Sequence, residues 1–209
     1  MASDMKLYAQ TGLKAYEPAI ENAAMLEQLI PEMQKNGISM PSLYANSVLH
    51  EPAEVENSIR NILDIAEVAA PFGCKILVTN PSPISWTNPV NKTDSQLKIQ
   101  AEAMNSLGKL LKQKGITLAY HTHDMELRAG AREIHHVLQN TDPEYVAFCF
   151  DTHWVYRGSD NSELAVFEIL KMYGHRIAEL HLRQSTNWTW NETFSASGDI
   201  DYAAFALQL

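Results

Sequence analysis

The sequence predicts a parallel β/α barrel, and three observations carry that prediction. Short apolar runs alternate with longer amphipathic segments from one end of the chain to the other. The short runs are apolar almost throughout, as strands covered on both faces must be. Neither G-x-G-x-x-G nor a Walker motif occurs, whereas an open nucleotide-binding sheet usually carries a glycine-rich turn after an early strand. The same alternation would also build an open doubly wound sheet, and the missing glycine-rich turn is what favours the barrel.

Six runs read as strands: residues 13–18 (LKAYEP), 38–44 (ISMPSLY), 75–80 (KILVTN), 117–123 (TLAYHTH), 145–151 (YVAFCFD) and 177–183 (IAELHLR). Between them apolar residues recur at helical spacing: Leu26, Leu29, Ile30 and Met33; Ile59, Ile62, Leu63 and Ala66; Leu97, Ala101, Met104, Leu107 and Leu111. Gly37, Gly73, Gly115 and Gly174 close four helices at the position where a left-handed backbone costs glycine least. Thr93 and Gln96 have the spacing of a capping box at the start of the third helix. Pro31 falls inside the first and predicts a kink or a division there. Asp199 and Asp201 are placed to cap the last helix.

At 209 residues, 45% hydrophobic and 20% charged, the chain is long enough for one sizeable core, and residues 1–209 read as one domain. A net charge of −9 argues against an electrostatic grip on nucleic acid or on an anionic membrane, because both need a basic surface. No apolar run reaches the roughly 18 residues of a spanning helix. The opening MASDMKLYAQ lacks the charged and apolar regions of a signal peptide, so a cytoplasmic location is expected. Cys74 and Cys149 each lie in an apolar run and are expected to be buried free thiols. The partner that suits such a chain is a small molecule, largely neutral or held through a metal.

Chemistry in such barrels collects at the C-terminal ends of the strands, and three consecutive runs end in polar residues. Side chains alternate along a strand, so His121 and His123 share a face. Asp124 and Glu126 follow, and one of them is expected to orient a histidine. Asp151 closes the next run with His153 two residues on, and Glu179, His181 and Arg183 alternate with Leu180 and Leu182 in the last. A single buried histidine is more often a satisfied core residue than a ligand. Three successive strand ends delivering His, Asp and His to one mouth favour a metal or acid–base site.

Imidazole nitrogen with carboxylate oxygen suits one divalent ion of Mn, Co, Zn, Mg, Fe or Ni, and no cysteine is placed to build a thiolate site. Such an ion chelates the adjacent carbonyl and hydroxyl oxygens of a sugar and stabilises the enediolate formed when the proton between them leaves. A carboxylate or imidazole within hydrogen-bond reach serves as the base. Trp86, Trp188 and Trp190 fall in loops after the runs, where they either stack on a sugar face or pack beneath the loop. Glu17 closes the first run, facing the mouth or ending the strand before Pro18.

In chain order, LAYHTHDMEL, FCFDTHWVYRG, ELHLRQS and SGDIDYAAF resemble the sugar phosphate isomerase/epimerase family of xylose-isomerase-like barrels, over about residues 10–209. The resemblance implies a TIM barrel that holds one divalent metal through residues on four strands, commonly Glu, Asp, His and Glu. It also implies proton transfer next to a carbonyl in a sugar, sugar phosphate or polyol. Carried over by position, it makes Asp151 and His181 metal ligands and puts His121 where the family has its first glutamate. His123 falls where some relatives have a catalytic histidine or one that supports the metal ligands, and it is the first catalytic candidate. His153 and Trp154 fall in a substrate-side turn, with His153 the second catalytic candidate, and Arg183 stands where a polar group contacts substrate. The family's first strand and its last metal-binding glutamate have no counterpart, so the expectation is an incomplete barrel of about six strands. Glu192, in the long loop 184–198, is the candidate substitute ligand, and a second copy of the chain is the candidate cover for the open sheet edges. The alternatives are a non-catalytic sugar-binding barrel and a metal-dependent abasic-site endonuclease relative. The second needs a basic DNA-binding face that this acidic chain lacks.

Overall fold

The computed structural model describes residues 2–209. Two helices, α1 (Ala2–Gln10) and α2 (Ala23–Lys35), precede a sheet of five parallel strands in sequence order: β1 (Ser42–Tyr44), β2 (Ile76–Thr79), β3 (Thr117–His121), β4 (Val146–Asp151) and β5 (Ile177–His181). Each crossover carries helix: α3 (Pro52–Ala69), α4 (Asp94–Gln113), α5 (Arg128–Asn140), then α6 (Thr152–Gly158) with α7 (Glu163–Tyr173). Residues 129–131 have left-handed φ, so the regular part of α5 starts after them. A hairpin of β6 (Gln184–Thr186) and β7 (Thr189–Asn191) leads to α8 (Tyr202–Ala206). The parallel sheet makes an open half-barrel of the expected β/α type.

The two faces of the sheet divide the core. Leu43, Leu77, Leu118, Tyr120, Phe148 and Phe150 are buried against the helices, among Leu26, Met33, Ile62, Leu107, Ile134 and Leu170. The inner face is a much smaller apolar patch of Val78, Ala119 and Cys149, with Tyr44 and Ile76 beside it. Small residues there leave room above them for the polar strand ends.

The structure differs from the sequence reading at four places. Residues 13–18 are not a sixth strand: they make two isolated parallel bridges, Ala15 with Ser39 and Ala19 with Tyr44. Pro18 accepts from the Tyr44 N–H at 2.9 Å but has no N–H of its own to extend the ladder. Helix α2 continues through Pro31, forgoing only the hydrogen bond that a proline cannot make. Gly37, Gly73 and Gly115 have φ of +67°, +99° and +73°, as expected, whereas Gly174 has φ −54° and continues into a 3-10 turn. That turn carries Arg176 inward, where its guanidinium donates to the Leu138 and Thr141 carbonyls at the end of α5. Asp201 caps α8 through Ala204 N at 2.9 Å, but Asp199 instead accepts from the Asn187 and Trp188 N–H groups in the β6–β7 turn.

The Thr93–Gln96 capping box opens α4 as predicted. Cys74 and Cys149 are buried and free. Among the described residues no helix is long and apolar enough to cross a membrane.

Candidate active site

Register decides which side chains meet. In the pairing of β4 with β5, Phe148 stands opposite Ile177 but Cys149 stands opposite Glu179, so Ala178 is an extra residue. Without that bulge Asp151 would face Leu180, and Glu179 and His181 would point into the helical layer. With it, Asp151 stands level with His181. On the other side β3 pairs His121 with Cys149, which puts the His121 ring on the same inner face.

Three donor atoms converge there. Asp151 Oδ2 lies 3.3 Å from His121 Nε2 and 3.9 Å from His181 Nδ1. The His121, Asp151 and His181 donors all fall within 4.8 Å of one another. Metal bonds of about 2.0–2.2 Å place neighbouring ligands roughly 3–4 Å apart, so the set fits one divalent ion. Asp151 is used twice, since its Oδ1 accepts from Trp154 N at 2.9 Å and caps α6. Behind His181, Glu17 Oε2 lies 2.8 Å from Nε2, and Glu179 accepts from Ser42 Oγ at 2.7 Å. A cavity of about 390 Å³ opens above these groups, lined among others by Glu17, Tyr44, Asn46, Trp86, His123 and Trp154. The His123 ring packs edge-on with two tryptophans, its centroid 5.2 Å from those of both Trp86 and Trp154.

The end of β3 is clamped from below. Asn80 Nδ2 donates to the His121 carbonyl and to Glu126 Oε1, each at 3.1 Å, while Glu126 Oε2 accepts the His123 N–H at 2.7 Å. Glu126 thus orients the histidine segment through its backbone rather than through a ring N–H. Asp124 instead pairs with Arg128 at 3.9 Å.

Comparison with known proteins agrees with this architecture. The model of the xylose isomerase-like TIM barrel family matches residues 5–209. The chain belongs to that family. An inosose dehydratase of Mesomycoplasma hyopneumoniae is 34% identical over 173 residues, covering 78% of this chain and 55% of that protein. The chain therefore spans little more than half of that relative's length. In structure it is similar to a sugar phosphate isomerase/epimerase from Parabacteroides distasonis, with a TM-score of 0.75 at 19% identity over 99% of this chain and 79% of that one. A D-allulose 3-epimerase from Methylomonas sp., solved with D-allulose, gives a TM-score of 0.74 at 14% identity over 100% of this chain and 75% of that one.

In this xylose isomerase-like barrel burial and close partners shift the ionisable groups of the site. Burial lowers the His121 pKa, so its ring is neutral. Burial pushes the Asp151 carboxyl up, but its hydrogen bonds with His121 and with the Trp154 N–H help hold it below the ordinary carboxylate value. His123 is lowered to about 4 by burial and then by His121. For His181 burial acts downward, and the Glu17 hydrogen bond and charge outweigh it, raising the value. An ionised carboxylate and a neutral imidazole are the states that bind metals, so the shifts at Asp151 and His121 favour an ion, whereas the one at His181 means that binding displaces a more tightly held proton.

The structure brings together His121, His123, Asp151, Trp154, His181 and Arg183 of the residues singled out from the sequence. Arg183 lines the cavity and stacks on Trp190, 4.3 Å from the ring centroid. Two of the residues singled out lie away from the cavity. His153 is buried but does not line the cavity: its Nε2 shares a hydrogen bond with Ser185 Oγ at 3.0 Å. Glu192 is exposed beyond β7 and is also absent from the lining. Asn80 was missed, although it closes KILVTN with the same signal, a polar residue ending an apolar run, that marked Asp151.

Proposed function

We propose that this barrel serves an enzyme that moves a proton next to a carbonyl in a sugar, sugar phosphate or polyol, as an isomerase, epimerase or dehydratase. The observation that carries the proposal is the convergence of His121, Asp151 and His181 beneath a cavity also lined by His123 and two tryptophans. The names of the relatives, an inosose dehydratase and two sugar epimerase-type proteins, support the same class.

His121, Asp151 and His181 would hold one divalent ion of Mn, Co, Zn, Mg, Fe or Ni. When bound, the ion supplies Lewis acidity to adjacent carbonyl and hydroxyl oxygens. His123 lines the cavity as a neutral imidazole and exchanges the proton with the substrate carbon or its neighbouring oxygen. Trp86 and Trp154 pack against that ring and give a sugar an apolar face to rest on. Arg183, braced by Trp190, offers hydrogen-bond donors to substrate oxygens. Epimerisation, aldose–ketose isomerisation and dehydration share the first deprotonation, and the loops around the cavity select among them.

The test is solvent exchange. The chain is incubated in D2O with a divalent ion and a panel of ketoses and inososes, and the carbon-bound proton beside the carbonyl is followed by NMR. Ion-dependent deuterium uptake that disappears in Asp151→Asn is expected. A chain that binds the ion and the sugar yet exchanges no proton in any of them is a binding barrel, and the proposal fails.

A further inference from the structure

We propose that Glu17 is a positioning residue: it accepts the Nε2–H of His181, fixing that tautomer, and so turns the Nδ1 lone pair toward Asp151. This rests on the reading of His121, Asp151 and His181 as the reactive centre. Glu17 Oε2 lies 2.8 Å from His181 Nε2. An ionised carboxylate has acceptors only, so the proton of that pair sits on Nε2. The other ring nitrogen, Nδ1, is 3.9 Å from Asp151 Oδ2, too far for a shared proton. Two lone pairs facing each other at that separation suit a cation between them. The other tautomer, with its proton on Nδ1, would set a bare Nε2 lone pair against the Glu17 carboxylate at 2.8 Å and point an N–H, not a lone pair, at the cation position.

Glu17 is anchored well enough to do this. It lies between the two parallel bridges of its segment, Ala15 with Ser39 and Ala19 with Tyr44. Tyr16 N donates to the Ser39 carbonyl at 3.0 Å and the Pro18 carbonyl accepts from Tyr44 N at 2.9 Å, so hydrogen bonds hold the chain on both sides. Glu179, two residues before His181, is tied to Ser42 of β1 at 2.7 Å. The contact therefore spans the half-barrel, joining its first segment to β5. Histidines that bind metals usually donate their free N–H to such a carboxylate, and its loss costs about 10–100-fold in metal affinity.

Long-range 1H–15N NMR of the metal-free chain, labelled at histidine, reads the tautomer directly. It is recorded about two pH units above the ordinary histidine pKa, with His181→Gln for assignment. The Nε2–H form of His181 is expected in the unsubstituted chain, and loss of that preference in Glu17→Met, which keeps the side-chain volume and removes the acceptor. An Nδ1–H ring in the unsubstituted chain, or a preference unchanged in Glu17→Met, overturns the proposal. Should Glu17→Met not fold, the unsubstituted spectrum alone still decides the tautomer. Titration with Mn2+ is the second readout: binding about 10–100-fold weaker in Glu17→Met supports the role, and equal affinity overturns it. An unsubstituted chain that binds no Mn2+ counts against the proposed function, while the tautomer result stands as the test of Glu17.

Discussion

Asn80→Ala is the substitution that most directly probes the clamp under the histidines. Asn80 is fully buried, and its amide nitrogen makes two hydrogen bonds, to the His121 carbonyl and to Glu126 Oε1, each at 3.1 Å. Glu126, only 1% exposed, in turn holds the His123 N–H. Alanine removes both donors and leaves two acceptors in a place that water does not reach. At about 1–3 kcal/mol for each buried group deprived of its partner, the loss is about 2–6 kcal/mol. Urea unfolding followed by tryptophan fluorescence measures it, with the midpoint falling and the slope unchanged. Because the clamp sets where His121 sits, Mn2+ affinity of the still-folded variant should fall as well. A loss under about 0.5 kcal/mol, the range of an ordinary surface substitution, would refute the clamp.

Three further outcomes are expected. Gly108→Ala would put a Cβ 2.1 Å from the Tyr145 carbonyl oxygen, so α4 must move, at a cost of about 1–3 kcal/mol in thermal or urea unfolding. Lys92→Met removes the buried partner of Glu133, whose carboxylate lies 2.6 Å from the Lys92 ammonium; about 3–5 kcal/mol should be lost, and the double variant with Glu133→Leu should recover much of it. His123 titrates near 4 in the folded chain against an ordinary 6.5, so the unfolded chain takes up the proton first as pH falls. Its contribution is intact above about pH 6.5, is lost progressively down to about pH 4, and amounts to about 3 kcal/mol. The stability difference between the metal-free chain and its His123→Phe variant should shrink by that amount over this window, and a difference that stays flat contradicts the burial of the ring.

Where a property is local, the sequence shows it. The apolar runs around Leu118, Tyr120, Phe148 and Phe150 announce strands because nothing else buries so many large side chains in so few residues. The capping box at Thr93 is likewise written in two residues three apart. Relations between distant segments are not visible in this way. The bulge at Ala178 turns Glu179 and His181 onto the inner face, yet IAELHLR reads as an ordinary alternating strand with or without it. Glu17 is ordinary too, a glutamate before a proline, until the fold sets it beside an imidazole 164 positions away.

His123 and His153 separate the two regimes. Each stands two residues after a polar strand end, and alternation alone would send both into the cavity. After His121 the backbone stays outside any helix through His123, and that ring arrives against Trp86 and Trp154. After Asp151 the chain is helical at once, because the Asp151 side chain itself caps α6 by accepting from Trp154 N. Along a helix two residues turn the side chain by about 200° rather than returning it to the same face, so His153 is carried to Ser185 instead. The carboxylate that makes the second strand end a metal candidate is therefore also what removes its neighbouring histidine from the site. Asp151→Asn keeps an oxygen for the cap, so it should leave His153 where it is and weaken only the cation site. Asp151→Ala should do both, releasing the start of α6 and lowering stability by about 1 kcal/mol or more as the cap is lost. Equal unfolding midpoints for the two variants would show that the cap contributes nothing and that another cause places His153.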